Sequence, residues 1–357
     1  AIPDVHRSLR RLGIEGSVLE GGELAALRVL LHSARTTRGA ILPYSADFPL
    51  LAAIAERLLA QEREEERIAR AIDEAGAVRD DASRELARLR REIRAARSRI
   101  VERLEQYVAS LPERVRVPDA SVSVRDGRFV IPVRREGRAE VGGIVHDESA
   151  TGATLFIEPP LAIELMNRIR ELEIAEGREV QRILRQLTDA LRPFRDELSA
   201  TLDALVALDS LLARARYALE YNGSRPAMLP AGAEGYSVVA GRHPLLAATT
   251  ADVVPFDLQL ESGERTLLIS GPNTGGKTVL LKAIGLLSAL AQSGVIPPVG
   301  PGTRLPIFRD FYADIGDEQS IEASLSTFSA HLLNLREILE HADGESLVLI
   351  DEIGSVV

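Results

Sequence analysis

Apolar residues in the first half of the chain recur at helical spacing. From Ser83 to Val108 they return every three or four residues, which places one apolar face opposite arginine and glutamate side chains. Pro112 ends this predicted helix, because proline has no N–H for a further helical turn. A second helical pattern runs from Leu165 to Glu220, with a kink predicted at Pro193. The Glu- and Arg-rich stretch 61–70 indicates a solvated helix surface.

Between the two helical patterns the sequence predicts short strands. Residues 122–133 favour a hairpin that turns at Asp126-Gly127, a pair that tolerates the backbone of a tight turn. Thr154–Ile157 predicts a further strand, and two prolines close the segment. Two long helices that flank a small β module indicate an antiparallel helical arm with a β tip, although a helical bundle with a decorated loop fits the same pattern.

The pattern changes again near Tyr221, after which strands and helices alternate as they do in an α/β domain. The sequence therefore predicts four parts. They are a helical first half at 1–115, a β-rich insert at 116–160, long helices at 161–225 and an α/β domain at 226–357.

The composition excludes several classes of protein. The 357 residues include 43 basic and 53 acidic side chains, a formal net charge of −10, and no cysteine. Without cysteine there are no disulfides, thiolate metal sites or cysteine nucleophiles, and the histidines show no zinc-ligand spacing. No apolar run approaches a bilayer span and no secretion signal is evident, so we expect a cytoplasmic protein without a membrane partner. The acidic balance also disfavours non-specific coating of nucleic acid.

A glycine-rich loop in the last third predicts a nucleotide site. Residues 271–278 spell G-x-x-x-x-G-K-[ST] between a predicted strand at 266–270 and a predicted helix at 279–288. Backbone N–H groups of such a loop converge on phosphate oxygens, and the helix N-terminus favours the same anion. Lys277 would reach the β- and γ-phosphates of ATP, and the Thr278 hydroxyl would bind magnesium. The predicted nucleotide-binding residues of the loop are Gly271, Pro272, Asn273, Thr274, Gly275, Gly276, Lys277 and Thr278.

An acidic pair agrees with this prediction. The apolar strand predicted at 347–350 ends in Asp351 and Glu352. In P-loop ATPases an acid at this strand end holds magnesium, and a following glutamate polarises the attacking water. We therefore predict Thr278 and Asp351 as magnesium ligands and Glu352 as the catalytic residue of ATP hydrolysis. The hydroxyl-rich segment 314–329 fits either a phosphate-binding segment or a polar helix cap.

Together these motifs resemble those of the MutS family of ABC-type ATPases. The closest resemblance is to its second bacterial branch, the type-two proteins linked to suppression of homologous recombination, and it covers nearly the whole chain. It is carried by the loop 271–278 (Walker A), the segments 316–321 and 324–329 (a trans-acting segment), 241–246 with 254–257 (the adenine-side loop) and 142–159 (the β insert).

The resemblance implies a fold class that is multidomain α with α/β. A long helical lever core would carry a small clamp-like β insert and be followed by a P-loop ABC-type ATPase domain, which is incomplete here. The resemblance also implies a homodimer with two composite ATP sites, in which Ser326 and Thr327 act across the dimer on the partner's γ-phosphate. His243 and Phe256 would lie beside the nucleotide.

The targets implied by the resemblance are nucleic acids. Type-two proteins resemble readers of branched DNA such as junctions or D-loops, and members have been associated with collided ribosomes, so ribosomal RNA stays open as a target. Phe156 and Glu158 spell the Phe-x-Glu of mismatch-reading relatives, but they lie inside the β insert, so we interpret Phe156 as a core residue. The candidate nucleic-acid contacts, which fit a solvated surface equally well, are Arg125, Arg128, Arg134, Arg135 and Arg138.

Departures from the family pattern leave alternatives. Only residues 353–357 follow Glu352, and the family's coiled coil and Smr nuclease domain are absent, so we expect a fragment that is truncated after the Walker B strand. Nuclease activity would then belong to the absent Smr domain. One alternative is an ATP-binding fragment that does not hydrolyse ATP. The other is a chromosome-organising ABC ATPase with a coiled-coil arm, although there the Walker A loop precedes the arm.

Overall fold

The computed structural model describes residues 2–118, 121–250, 253–271, 276–315 and 324–351, with the backbone alone at 324–331. The chain divides into two compact units, Ala1–Val206 and Ala207–Val357. It is a mixed protein of long helices and small sheets, in agreement with the coarse fold class expected from the sequence. The division into four parts stays a prediction.

Helices dominate the first unit. In chain order they are α1 (His6–Leu12), α2 (Gly21–Ile41), α3 (Pro49–Ala55), α4 (Glu62–Ala71), α5 (Arg84–Ser110), α6 (Arg138–Val141), α7 (Pro160–Leu191) and α8 (Arg195–Glu220), whose last turns belong to the second unit. A 3₁₀ turn at Arg192–Phe194 separates α7 from α8. The α-helix is thus interrupted at Pro193, where the sequence predicted a kink, because proline cannot donate the α-helical hydrogen bond.

Helices α5 and α7 form the predicted antiparallel arm. The apolar face predicted for α5 is largely buried, and part of it packs against Leu172 of α7. Charged pairs flank this contact: Arg90 donates to Glu176 at 2.7 Å and Arg97 donates to Glu173 at 2.8 Å. The arm is therefore held by an apolar seam with ion pairs across it.

A four-stranded antiparallel sheet forms the tip of the arm. Its strands β1 (Ser123–Arg125), β2 (Arg128–Arg134), β3 (Ile144–Glu148) and β4 (Thr154–Glu158) lie in the order β1-β2-β4-β3. Asp126 and Gly127 have φ values of 48° and 73°, the left-handed backbone of a two-residue hairpin turn, so the predicted hairpin is confirmed. Sheet and arm share one apolar core, which includes Ile100, Leu104, Ile131, Val133, Leu155 and Ile157.

Strand β3 was not predicted from the sequence. The register of its pairing with β4 shifts between Val145 and Asp147. Such a bulge breaks the two-residue alternation of side chains on which strand prediction depends.

The second unit alternates strands and helices, as predicted. Its elements are β5 (Ala227–Leu229), β6 (Ser237–Gly241), α9 (Pro244–Thr249), β7 (Phe256–Gln259), α10 (Lys277–Gln292), β8 (Arg304–Pro306), β9 (Asp310–Asp314), α11 (Ser324–His341) and β10 (Ser346–Ile350). One sheet has the order β5-β8-β6-β7, and β9 pairs with β10 in parallel. Its core contains Val238, Ile284, Leu287 and Leu349.

Two predictions about local structure are wrong. Residues 266–270 are not a strand: they form no ladder with another described segment, and Leu268 is 85% exposed. An apolar segment becomes a strand only where a neighbour supplies backbone partners. The surface of α4 is not fully solvated either, because Glu64 and Glu65 are buried and pair with Arg67 and Arg35. Among the described helices, none has both the length and the apolar character of a membrane span.

A buried carboxylate joins α5 to α7 at the end of the arm away from the sheet. Glu179 accepts hydrogen bonds from the Arg182 guanidinium and, at 2.6 Å, from the Ser83 hydroxyl. Ser83 also caps α5, because its hydroxyl oxygen accepts the Leu86 N–H at 3.0 Å. The hydrogen bonds from Arg182, and secondarily the one from Ser83, lower the pKa of Glu179 to about 2.

The lowered pKa predicts a stability loss in acid. Because the pKa lies below the ordinary value of 4.5, the contribution of Glu179 to folding is complete above that value and is lost as pH falls toward 2. Between pH 6 and pH 3 we expect the free energy of unfolding to fall by about 2 kcal/mol more in the wild type than in Glu179→Gln. Urea unfolding followed by circular dichroism measures this difference. Glu171→Gln, at an exposed position of the same helix, is the control; equal pH dependence of wild type and Glu179→Gln would contradict the prediction.

Candidate functional site

The carboxyl ends of β9 and β10 meet the start of α10. Ile350 lies opposite Asp314 in the parallel register, and the Asp351 N–H donates to the Asp314 carbonyl oxygen at 2.9 Å. Thr278, in the first turn of α10, donates its hydroxyl hydrogen to Asp351 Oδ2 at 2.6 Å. The fold therefore joins two predicted magnesium ligands that lie 73 positions apart in the sequence.

The start of α10 is suited to an anion. Gly276, with φ 77° and ψ 21°, precedes the helix, and no side-chain hydrogen bond caps it at that position. The first N–H groups of a helix lack partners within the helix and carry a partial positive charge. Lys277 Nζ donates to the Gly271 carbonyl oxygen at 2.7 Å, so its ammonium group lies between the two described ends of the loop. Both features favour a bound phosphate.

The oxygen atoms at the start of α10 and the end of β10 fit a magnesium site. Thr278 contributes a hydroxyl oxygen and Asp351 a carboxylate oxygen, and these two atoms are already within hydrogen-bond distance. Magnesium prefers oxygen ligands and is held by one or two protein groups together with substrate phosphates. The two residues would hold the ion, and a phosphate on the adjoining helix start would complete its coordination.

His243 and Phe256 belong to parts of the second unit that pack near α10. His243 caps α9, and its Nδ1 accepts the Leu246 N–H at 3.4 Å, which leaves the proton on Nε2 in the neutral ring. Burial, and secondarily the charge of Lys282 on α10, lower the pKa of His243. Phe256 packs at the edge of the core that contains α10 residues. The imidazole is therefore neutral at pH 7, with Nε2–H available as a donor.

Several predicted site residues lie outside the described residues. This applies to Pro272, Asn273, Thr274 and Gly275 in the loop and to Glu352 after β10. Ser326 and Thr327 fall in the first turns of α11, where the backbone alone is described. Their roles stay predictions.

Asp314 is a neighbour of this site that the sequence reasoning did not single out. It is 9% exposed at the end of β9, and its Oδ1 accepts a hydrogen bond from Asn334 Nδ2 at 3.4 Å. The available signal was an acid at the end of a short apolar strand, the same signal that identified Asp351. Only the parallel pairing of β9 with β10 shows that the two acids are adjacent.

The candidate arginines of the β module mostly serve the module itself. Arg138 is exposed, and its guanidinium has no ion-pair or hydrogen-bond partner among the described residues. The other four make internal contacts: Arg125 with Asp147 at 3.4 Å, Arg128 with Glu158 at 3.3 Å, Arg134 with the Arg116 carbonyl oxygen at 3.2 Å, and Arg135 with Glu148 and with the Gly152 carbonyl oxygen at 2.6 Å. The charges of Arg125, Arg128 and Arg135 are therefore balanced by carboxylates within the module, whereas Arg134 contacts a carbonyl oxygen.

The interpretation of Phe156 as a core residue is wrong. It is partly exposed and lies outside the apolar core, whereas its neighbours Leu155 and Ile157 are buried. Alternation along β4 places Phe156 on the opposite face of the sheet from these two. There the Arg125 guanidinium lies 4.8 Å from the centre of the ring, a cation–π contact.

Comparison with known proteins agrees with the motifs. Residues 267–356 match the family model described as MutS domain V. The chain is 54% identical to "Endonuclease MutS2" of Gemmatimonas aurantiaca and 45% identical to that of Pelotomaculum thermopropionicum, in each case over 99% of the chain and 44% of the relative. It is 41% identical to "Putative endonuclease MutS2" of Bacillus subtilis over 99% of the chain and 45% of the relative. The chain thus spans less than half the length of these curated relatives.

Proposed function

We propose, from the premise that this chain belongs to the MutS2 type of the MutS family, that it is the part of an ATPase that binds ATP and magnesium and acts on nucleic acid. The observation that carries the proposal is the hydrogen bond of 2.6 Å between the Thr278 hydroxyl and the Asp351 carboxylate. Folding brings these two side chains together at the start of a helix whose first residue is lysine.

In the proposed site each residue has a separate task. The N–H groups at the start of α10 and the Lys277 ammonium bind the phosphates and orient them toward the strand ends. Thr278 and Asp351 hold magnesium, which when bound neutralises phosphate charge. Glu352, directly after Asp351 in the sequence, polarises the attacking water. The neutral His243 and the Phe256 ring offer a donor and an aromatic surface on the side where the adenine would lie.

We further propose that the protein works as a homodimer. Ser326 and Thr327, at the start of α11, would act on the γ-phosphate bound by the partner. The helical arm and its β module would bind branched DNA such as junctions or D-loops, with suppression of homologous recombination as the outcome. Ribosomal RNA is the alternative target. We assign the endonuclease activity in the relatives' names to a Smr-type domain in the part of those proteins that this chain does not match.

Removal of the Thr278 hydroxyl tests the nucleotide site. A fluorescent ATP analogue is titrated into the wild type, Thr278→Ala and Thr278→Ser, with magnesium and with EDTA. We expect magnesium to increase the affinity of the wild type and of Thr278→Ser for the ATP analogue. In Thr278→Ala we expect this increase in affinity to be about tenfold smaller, equivalent to about 1.4 kcal/mol. Thermal melting checks that the variants are folded. If Thr278→Ala keeps the full magnesium gain, the proposed role of the Thr278–Asp351 pair is wrong.

A further inference from the structure

Helix α5 is the most basic long element of a chain that is acidic overall. Its 27 residues carry eight arginines and four glutamates, whereas the net charge of the chain is −10. Helix α7, its partner in the arm, carries five arginines and six acidic residues. The sequence does not tell which arginines of α5 hold the arm together.

The structure sorts these eight arginines into two sets of four. One set is neutralised within the first unit: Arg90 by Glu176 and Asp80, Arg94 by Asp80, Arg97 by Glu173, and Arg88 by Glu85 and Glu92. The other set, here termed the outer arginines, comprises Arg84, Arg91, Arg99 and Arg103. These four are exposed and have no acidic partner among the described residues; Arg91 donates only to the Ala87 carbonyl oxygen, at 3.2 Å.

The outer arginines share one face of α5. At 100° per residue they fall within an arc of about 120°, opposite the apolar face that is buried in the arm. At 1.5 Å per residue the distance from Arg84 to Arg103 along the axis is about 28 Å, the length of about eight base pairs of duplex. The same face contains the balanced group around Arg88 and one acid, Glu102, that has no ion-pair partner in the described part of the chain.

We propose that this face of α5 binds the phosphodiester backbone of a nucleic acid. Guanidinium groups match phosphate oxygens in geometry, and a line of unpaired arginines follows a line of phosphates without reading the base sequence. The inference rests on the proposed function and assigns its nucleic-acid contact to the arm helix rather than to the internally paired arginines of the β module.

Salt dependence of binding tests this surface. Anisotropy titrations with a labelled DNA duplex, a four-way DNA junction and an RNA hairpin are run from 50 to 200 mM salt. For Arg91→Gln/Arg99→Gln we expect the slope of log affinity against log salt to fall by about 2, because each lost duplex phosphate contact removes about 0.9. The matched control is Arg178→Gln/Arg185→Gln, which removes two exposed arginines without ion-pair partners among the described residues from the outer face of α7 and should keep the wild-type slope.

A gain-of-affinity variant makes the test independent of folding defects. Glu102→Gln removes the acid from the binding face and should tighten binding several-fold at 100 mM salt. A wild-type chain that binds neither DNA nor RNA overturns both this inference and the proposed function. Binding whose slope is unchanged in Arg91→Gln/Arg99→Gln, or equally reduced in the α7 control, overturns this inference alone. Binding to the RNA hairpin alone, with the expected loss of slope, supports the surface and assigns it to RNA.

Discussion

Replacement of Lys277 by alanine is expected to weaken ATP binding at least about a hundredfold. The Lys277 ammonium lies between the described ends of the predicted phosphate loop and donates to the Gly271 carbonyl oxygen at 2.7 Å. Charge-assisted hydrogen bonds are worth about 1.5–3 kcal/mol, and a hundredfold change in affinity corresponds to about 2.7 kcal/mol. The loss should persist in EDTA, since the ammonium acts on the phosphates directly rather than through magnesium.

The chain provides a matched control for this variant. Lys277 and Lys282 are its two lysines, and both lie on α10. Lys282→Ala removes the same charge five residues further along the helix and should change ATP affinity less than about threefold. Isothermal titration calorimetry with ATP, with and without magnesium, measures both variants. ATP affinity retained in Lys277→Ala, or lost equally in Lys282→Ala, would show that the phosphates are bound elsewhere.

Introduction of a side chain at Gly143 is expected to disrupt the β module. Gly143 has φ 92°, and a Cβ atom there would lie 2.1 Å from the Glu158 carbonyl oxygen and 3.0 Å from Pro159 Cα. These are backbone atoms of β4 and its end, so no side-chain rotation relieves the overlap. The left-handed backbone alone costs a non-glycine residue about 1–2 kcal/mol. With the displacement of β3 from β4 added, we expect Gly143→Ala to lower the free energy of unfolding by about 3 kcal/mol or more.

Gly127→Ala separates backbone strain from steric overlap. Gly127 also has a left-handed φ, 73°, but a Cβ atom in this hairpin turn would meet no described atom within 4 Å beyond its chain neighbours. This control should therefore lose only about 1 kcal/mol. Chemical denaturation of both variants gives the comparison, and hydrogen exchange of the β3 and β4 amides locates the damage. If both variants lose the same free energy of unfolding, steric overlap between a Cβ atom at position 143 and the Glu158 backbone does not contribute to the effect.

Sequence spacing predicted the elements that depend on near neighbours. The apolar repeat from Ser83 to Val108 predicted α5, and Asp126-Gly127 predicted the hairpin, because helix faces and two-residue turns are set within a few residues. Strand β3 was missed, since its bulge between Val145 and Asp147 removes the alternation. The strand expected at 266–270 does not form, because strand formation requires a partner that the segment itself cannot supply.

The candidate site shows the same division. Its predicted phosphate loop and the acid at the end of β10 were singled out from local motifs. Only the packing of α10 and β9 against β10 shows that Thr278 contacts Asp351. The same packing shows that Asp314, the last residue of β9, lies beside the end of β10. The role assigned to Glu352 rests on the acidic pair at the strand end, and the role assigned to Ser326 rests on the family resemblance; both stay predictions.

By itself, the sequence predicted the family, the helical arm and the candidate phosphate-binding residues, because each prediction rests on short patterns or on the identity of single side chains. The tertiary structure decided which of those side chains are already engaged. Arg125 and Arg135 form ion pairs within the β module, whereas Arg91 and Arg99 have no acidic partners among the described residues. Phe156 lies outside the apolar core, against Arg125. The physical reason is that charge balance and burial depend on partners from distant parts of the chain, which only folding brings together.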